Sequence, residues 1–453
     1  MANNTLNAGF SRIDITPRVG VELTGYLPWP LRASKGVLAP LEARGIALKL
    51  GESKACIVCC DLCLLSPDVA EKTVQAVLKK LPFLTRDNLM VLCSHTHSAP
   101  STCYDIGNGM PDPVYMELLP HKIALAAAKA FENMTEVTVS HAEVPCRQIA
   151  INRVYDKFWD DLDNVLKDDW QPNKPELTDP TCHVVRFDAV EGGLKGFFVY
   201  YGCHLVSAGI SDLISPDFAG VALHEIMREN PGAVGCFIQG AEGDINTGCA
   251  SAERAEECIA ILSRRFATSV RNGLEQAKPM KCDELQCVSI EGDFSYLEQY
   301  TPDYVQGMVK EYSAKIFTDD ATDADTKLRW NMVYLKGSEK LLKFISTHSA
   351  IHARINALRL GDLEILGAPF EIMSAIWRDT RKAVKAPIPL VASLCNGTYG
   401  YAPDNTQLEK LKNDEHNFAG RVVPMIWGLP PYKNIHNELV AVFKKTDERL
   451  FGK

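Results

Sequence analysis

The sequence predicts an α/β fold, with layered mixed β-sheets flanked by helices in a single large domain spanning residues 1–453. Two observations carry that expectation. Segments with the two-residue period of strands alternate with segments of helical period along the whole chain. No internal repeat or low-complexity tract divides the 453 residues, a length that suits one large domain or two ordinary ones.

Taken in order, Ala43 to Leu50 and Ala55 to Asp61 read as strands around the turn Gly51-Glu52-Ser53. An amphipathic helix follows from Pro67 to Leu81. The apolar run Asn88 to Cys93 is a strand that delivers Ser94-His95-Thr96-His97, and Val114 to Phe131 is an Ala-rich helix. Further strands lie near Glu136 to Val144, His183 to Asp188 and Leu194 to Cys203, with Gly192-Gly193 as a hairpin turn and His204 directly after the last. Asp217 stands where it would cap a helix from Phe218 to Arg228. Cys236 to Gln239 is a short strand running into Gly240-Ala-Glu-Gly243-Asp244-Ile-Asn246-Thr247, whose small residues let backbone approach a ligand closely. Ser251 to Ala277 is the clearest helix, carrying Ile259, Leu262, Phe266, Val270 and Leu274 on one stripe. Residues 296–348 read as a mostly helical excursion or lid. The strands Ile355 to Leu360 and Leu363 to Leu366 flank Gly361-Asp362, and the second ends in Pro369-Phe370-Glu371 before another helix. Pro389 to Cys395 is a last strand, leading into Asn396 to Pro403.

Composition narrows the class. A net charge of -9 without clustered Lys or Arg argues against a nucleic-acid surface. No apolar run nears the roughly 20 residues of a membrane span, so no stable membrane insertion is expected. The N-terminus lacks the charged-then-apolar order of a secretory signal, which predicts a cytoplasmic protein. Fifteen cysteines sit in strand-like runs such as Cys56 to Cys63 and fit buried, reduced thiols better than a zinc ribbon, which needs a second pair across a knuckle. The composition leaves the oligomeric state open.

The chemistry gathers at strand ends. Alternate residues of an extended segment share a face, so His95 and His97 project together at the end of one strand, and His204 ends another. A lone histidine is usually a satisfied core residue; three at strand ends begin a metal cage. Glu371, at a strand end and before a helix, offers a fixed carboxylate. Other candidates are weaker. His224-Glu225 begins like a zinc-protease helix, but Arg228 occupies the second histidine position, and His348 and His352 fall in different elements. Asp61, Asp217 and Asp244 are as suited to capping turns or orienting histidines as to touching substrate. No nucleophile elbow, Walker sequence or dinucleotide fingerprint is present.

The ordered motifs are Ile13-Asp14-Ile15-Thr16-Pro17 with Gly25-Tyr26, Asp61-Leu62, His95 to Pro100, Asn152-Arg153, His204, Leu213 to Asp217, Gly243-Asp244, Pro369-Phe370-Glu371 and Asn396 to Tyr401. Together they resemble the catalytic domain of the neutral/alkaline ceramidase family from about Ala8 to Tyr401. The resemblance implies a zinc ion held by His95, His204, Glu371 and Tyr401, with His97 and Arg153 in the polar lining of the site. Phe370 replaces a glycine of that family's pattern, and Asn246 stands where the family has a serine implicated in the chemistry. An amide is no hydroxyl nucleophile, but it can donate to an oxyanion.

The sequence therefore predicts a Zn2+-dependent hydrolase that cleaves an amide or related acyl bond through metal-activated water. His97 serves as base or orienter, Arg153 and Asn246 stabilise developing charge, and Tyr401 acts as displaceable ligand or proton donor. The family's secretory signal and C-terminal β-sandwich are not seen here, and residues 404–418 lack its aromatic pattern. The expected substrate is accordingly a small soluble molecule. A metal-assisted lyase, a glycoside-cleaving enzyme and a non-catalytic metal-containing binding protein remain alternatives.

Overall fold

The computed structural model describes residues 5–26, 32–104, 107–156, 159–411, 413–414 and 417–452. Its main sheet runs, edge to edge, through strands Val234–Gln239, Leu194–Tyr201, Thr181–Ala189, Thr135–Pro145, Leu6–Asp14, Glu42–Leu50, Ser53–Cys60 and Leu89–Cys93. The pairs at both edges are parallel and the interior pairs antiparallel. A second sheet orders Leu285–Phe294, Ile351–Leu360, Leu363–Gly367 and Ile388–Ala392, again with its last pair parallel. One domain with layered mixed sheets and flanking helices results, as the alternating periods predict.

Three apolar layers hold these sheets. Phe10, Ile46, Ile57, Phe187 and Phe198 of the main sheet meet Leu358, Ile365 and Leu390 of the second. The opposite face of the main sheet is covered at one end by Pro67–Lys80 and Pro113–Glu132, through Val58, Val74 and Ile123. At the other end Asp217–Glu229 and Ala255–Gln276 cover it through Val184, Leu223 and Phe266. Burying both faces is what allows these strands to be near-continuous apolar runs.

Some expectations shift. The helix expected from Ser251 begins at Ala255. Asp217 is not the cap of its helix: it is the first helical residue, at φ 55°, and its carboxylate accepts from the Ser207 hydroxyl and the Ala208 and Phe218 amides. Its carboxylate thus ties the Phe218 amide to the 207–208 loop from inside the helix rather than from the position before it. Strands Leu6–Asp14 and Leu285–Phe294 and the helix Ile435–Phe451, for which the sequence pattern gave no separate expectation, are integral to the sheets and core.

Residues 302–316 and 326–345 form two helices. The second packs Val333 against Val422 and Ile426, and Gly337 leaves no room for a Cβ beside the Met425 carbonyl. Among the described residues no helix is long and apolar enough to cross a membrane, and all cysteines are free thiols, buried except for the half-buried Cys282 and Cys287.

Candidate metal centre

Three parallel strand pairs, 53–60 with 89–93, 194–201 with 234–239, and 363–367 with 388–392, send their carboxyl ends to one place. The main sheet's two edges meet there: Gln239 Nε2 donates to the Ser94 and Cys203 carbonyls, and Thr96 bridges Leu205 in parallel register. The carboxyl ends of parallel strands are where open α/β sheets place ligands, because the connecting loops leave a crevice there.

The segments beyond the strands are tied by short ladders. Ile245–Thr247 pairs with Ala150–Asn152, and the Arg153 amide donates to the Asp244 carbonyl. Glu371 and Tyr401 are register partners in a two-residue parallel ladder, while the Gly243 amide donates to Ile372. A Cβ on Gly243 would lie 2.7 Å from the Glu371 carbonyl, so this approach requires glycine. Asp244 braces the arrangement by accepting from the Ser374 amide and hydroxyl and from Asn152.

His95, His204, Glu371 and Tyr401 come together. His95 Nε2 and His204 Nε2 each lie 3.3 Å from Glu371 Oε2, and the Tyr401 hydroxyl is 3.5 Å from His204 Nε2. His97 Nε2 is 3.2 Å from His95 Nε2. All five lie at 7% exposure or less, so the surrounding protein must satisfy them. His95 takes a left-handed φ of 66°, unusual for a side-chain-bearing residue and typical of functional sites.

The hydrogen bonds fix which nitrogen carries a proton. Both His95 and His204 lie with Nδ1 2.8 Å from a backbone carbonyl, of Cys63 and Glu242 respectively. A carbonyl only accepts, so Nδ1 carries a proton in both rings. Burial opposes the charge on His95, yet Glu371 and Cys63 hold it well above the ordinary histidine range, so its Nε2 proton is the one a cation would displace, while His204 turns an Nε2 lone pair inward. Glu371 Oε2 faces both Nε2 atoms without a formed hydrogen bond. Three acceptors converging in a dry site demand a cation or an added proton. The donor set fits a divalent metal.

Charge in the site follows. Burial opposes ionisation of Glu371, yet His95 and His204 hold its carboxyl well below the usual carboxylate range. Burial, with His95 and His204 adding to it, drives His97 well below the ordinary histidine value. His204 is likewise lowered to about 3 by burial and by Arg153. Burial also keeps the Tyr401 phenol protonated, well above its ordinary value.

Arg153 and Asn246 form the polar wall. Arg153 donates to Asn246 Oδ1 at 3.2 Å, to the Tyr401 hydroxyl at 2.8 Å and to the Gly243 carbonyl at 2.9 Å. Because guanidinium only donates, Asn246 Oδ1 is the atom that faces it, which leaves the amide NH2 free as a donor. His97, Arg153, Asn246 and Tyr401 line a cavity of about 480 Å³ whose other wall is largely apolar, with Tyr26, Val154, Trp159, Val206, Ile210 and Phe418. A smaller void of about 40 Å³ lies against His95, Glu371 and Cys63.

The other candidates are elsewhere engaged. Asp61 pairs with buried Arg44, and His224 with Glu42 and Arg44. His352 pairs with Asp293, while the His348 ring stacks on Phe344. Two neighbours of the site escaped the sequence reading. Cys63 Sγ lies 3.7 Å from His95 Nδ1, and its signal was its position just past a strand end, masked by the nearby CxxC spacing. Glu242 is fully buried, and burial pushes its carboxyl up to about 8 against His95 and with Glu371. It follows the 234–239 strand as His204 follows its own.

Fold and site thus define an α/β protein with a buried nitrogen and carboxylate donor set at the floor of an open cavity. The family described as neutral/alkaline non-lysosomal ceramidase, N-terminal, matches residues 6–300, and the chain belongs to it. Family membership makes it a hydrolase acting on an amide bond. Among solved structures, neutral ceramidase from Pseudomonas aeruginosa is similar at 17% identity and a TM-score of 0.72, over 99% of this chain and 75% of that one. A structure described as ceramidase complexed with C2 is similar at 16% identity and a TM-score of 0.73, with the same coverage. No curated protein matches significantly.

Proposed function

We propose that this chain is a zinc-dependent hydrolase that cleaves an amide bond in a compact substrate with water. The observation that carries the reading is the pair of imidazoles whose Nδ1–H groups are spent on carbonyls while their Nε2 atoms both converge on Glu371 Oε2. His95, His204 and Glu371 would hold the ion, with Tyr401 as fourth or displaceable ligand. When bound, such an ion polarises a carbonyl and lowers the pKa of bound water to about 7.

The remaining residues do the rest. His97, kept neutral by its surroundings, accepts a proton at a ring nitrogen. Asn246, oriented by Arg153, presents its NH2 to the oxygen on which charge develops, and Tyr401 retains a phenolic proton to give. The cavity of about 480 Å³ lies in the lower half of the range for small-molecule sites, and its apolar wall supports a substrate with a compact apolar arm beside the amide.

The test uses chelated and zinc-restored protein with N-acyl amides of graded chain length in oxygen-18 water. Zinc-restored turnover with solvent oxygen in the acid product is expected. Turnover indifferent to chelation, or product free of solvent oxygen, defeats the proposal.

A further inference from the structure

A second nitrogen and carboxylate cluster lies on two strands that carry none of the residues of the centre described above. His141 and Glu143 are two apart on the Thr135–Pro145 strand, and His183 of the neighbouring antiparallel strand is the register partner of Glu143. Alternation along one strand and direct pairing across two put all three side chains on one face. That face is otherwise apolar, with Val137, Val139, Val185 and Phe187 packed into the layer between the sheets.

His141 Nε2 lies 3.1 Å from His183 Nδ1, and Glu143 Oε1 lies 3.8 Å from the same nitrogen. One donor atom from each residue falls within 4.8 Å of the other two. Zinc bonds of 2.0–2.1 Å at tetrahedral angles separate ligand atoms by about 3.3 Å, so small side-chain rotations suffice. We propose that His141, His183 and Glu143 form a second site for a divalent first-row transition ion such as zinc, which clips the two strands together and leaves its outer coordination to solvent.

Burial is graded in the way such a site needs. His183 is buried beside Tyr200, whereas His141 is half-buried and Glu143 exposed, so the ion has a route in. Burial lowers His183 to about 3 and His141 to about 4, which keeps both rings neutral and their lone pairs available at neutral pH. Asp179 adds negative charge near His183, and it holds Trp377 through the indole N–H. Lys278, the register partner of His141, and Arg381 are the nearby cations; both are exposed and long enough to turn outward. Irving–Williams order favours zinc or copper over manganese for a two-imidazole set.

Bound zinc is counted by equilibrium dialysis in wild type, His183→Ala, His141→Ala, Glu143→Gln and, separately, His204→Ala. Two equivalents are expected for wild type. Each of the first three variants should lose at least tenfold in affinity for one equivalent and keep amide hydrolysis, while His204→Ala loses the other. Wild-type zinc binding in His141→Ala and Glu143→Gln, both at accessible positions whose replacement spares the core, would overturn the proposal even if His183→Ala does not fold. Failure of the centre at His204 would appear as unaltered binding in His204→Ala alone, leaving the second site to be judged independently.

Discussion

Glu371 and Tyr401 are direct register partners in a parallel ladder only two residues long, and that pairing turns a carboxylate and a phenol to the same side. The Glu371 amide also donates to the Gly400 carbonyl. Their separation is set by backbone geometry rather than by flexible side chains, as a pre-organised site requires. Tyr401→Phe keeps the ring and removes only the hydroxyl. Zinc should be retained within about tenfold while kcat drops by about 100-fold, in the range of a lost proton donor. Equilibrium dialysis beside steady-state kinetics separates this role from simple ligation, for which zinc would leave first.

Asn246 occupies the cavity wall with its amide oriented by Arg153. Asn246→Ala should lower kcat by about 100- to 1000-fold with little change in KM, the pattern of a donor used chiefly in the transition state. A change confined to KM would instead assign Asn246 to substrate binding.

Gly25 sits at φ 106°, and a Cβ there would lie 2.5 Å from the His97 ring. Gly25→Ala should cost about 1–3 kcal/mol through backbone strain and displace His97. Thermal denaturation reads the first effect and kcat the second; an unaltered kcat would remove His97 from the chemistry.

Glu364 is fully buried beside Asp447, and burial, with Asp447 adding to it, raises its carboxyl to about 9. The folded state therefore keeps a proton that the unfolded chain releases above its ordinary value of 4.5. The stabilisation linked to that proton is complete below 4.5 and is lost progressively as pH rises toward 9. Glu364→Gln keeps an N–H donor for Asp447 and removes the titration. Relative to wild type, the variant should gain stability steadily between pH 5 and pH 9 in urea unfolding, by up to about 1.4 kcal/mol per pH unit. Parallel pH profiles for the two proteins would show that Glu364 is ionised in the fold.

Much of the layout was legible in the chain. Strands at 42–50, 53–60, 89–93, 194–201 and 363–367 are short apolar runs bounded by turn residues, which any local reading of period and length detects. The position of His95, His204 and Glu371 just beyond strand ends was legible for the same reason. The role suggested for Tyr401 and Arg153 came only from ordered motifs, because neither residue has a local pattern that distinguishes it from a packed phenol or a surface cation.

What local sequence determined is which segments are extended, where they stop, and which donor residues stand at their ends, since backbone period and turn chemistry act over a few neighbours. Tertiary structure alone decided that three parallel pairs bring those ends to one floor, that curling of the main sheet joins its two edges through Gln239, and that Cys63 and Glu242 border the donors. Such convergence depends on sheet twist and on hydrogen bonds between residues far apart in the chain, and neither leaves a trace in local periodicity.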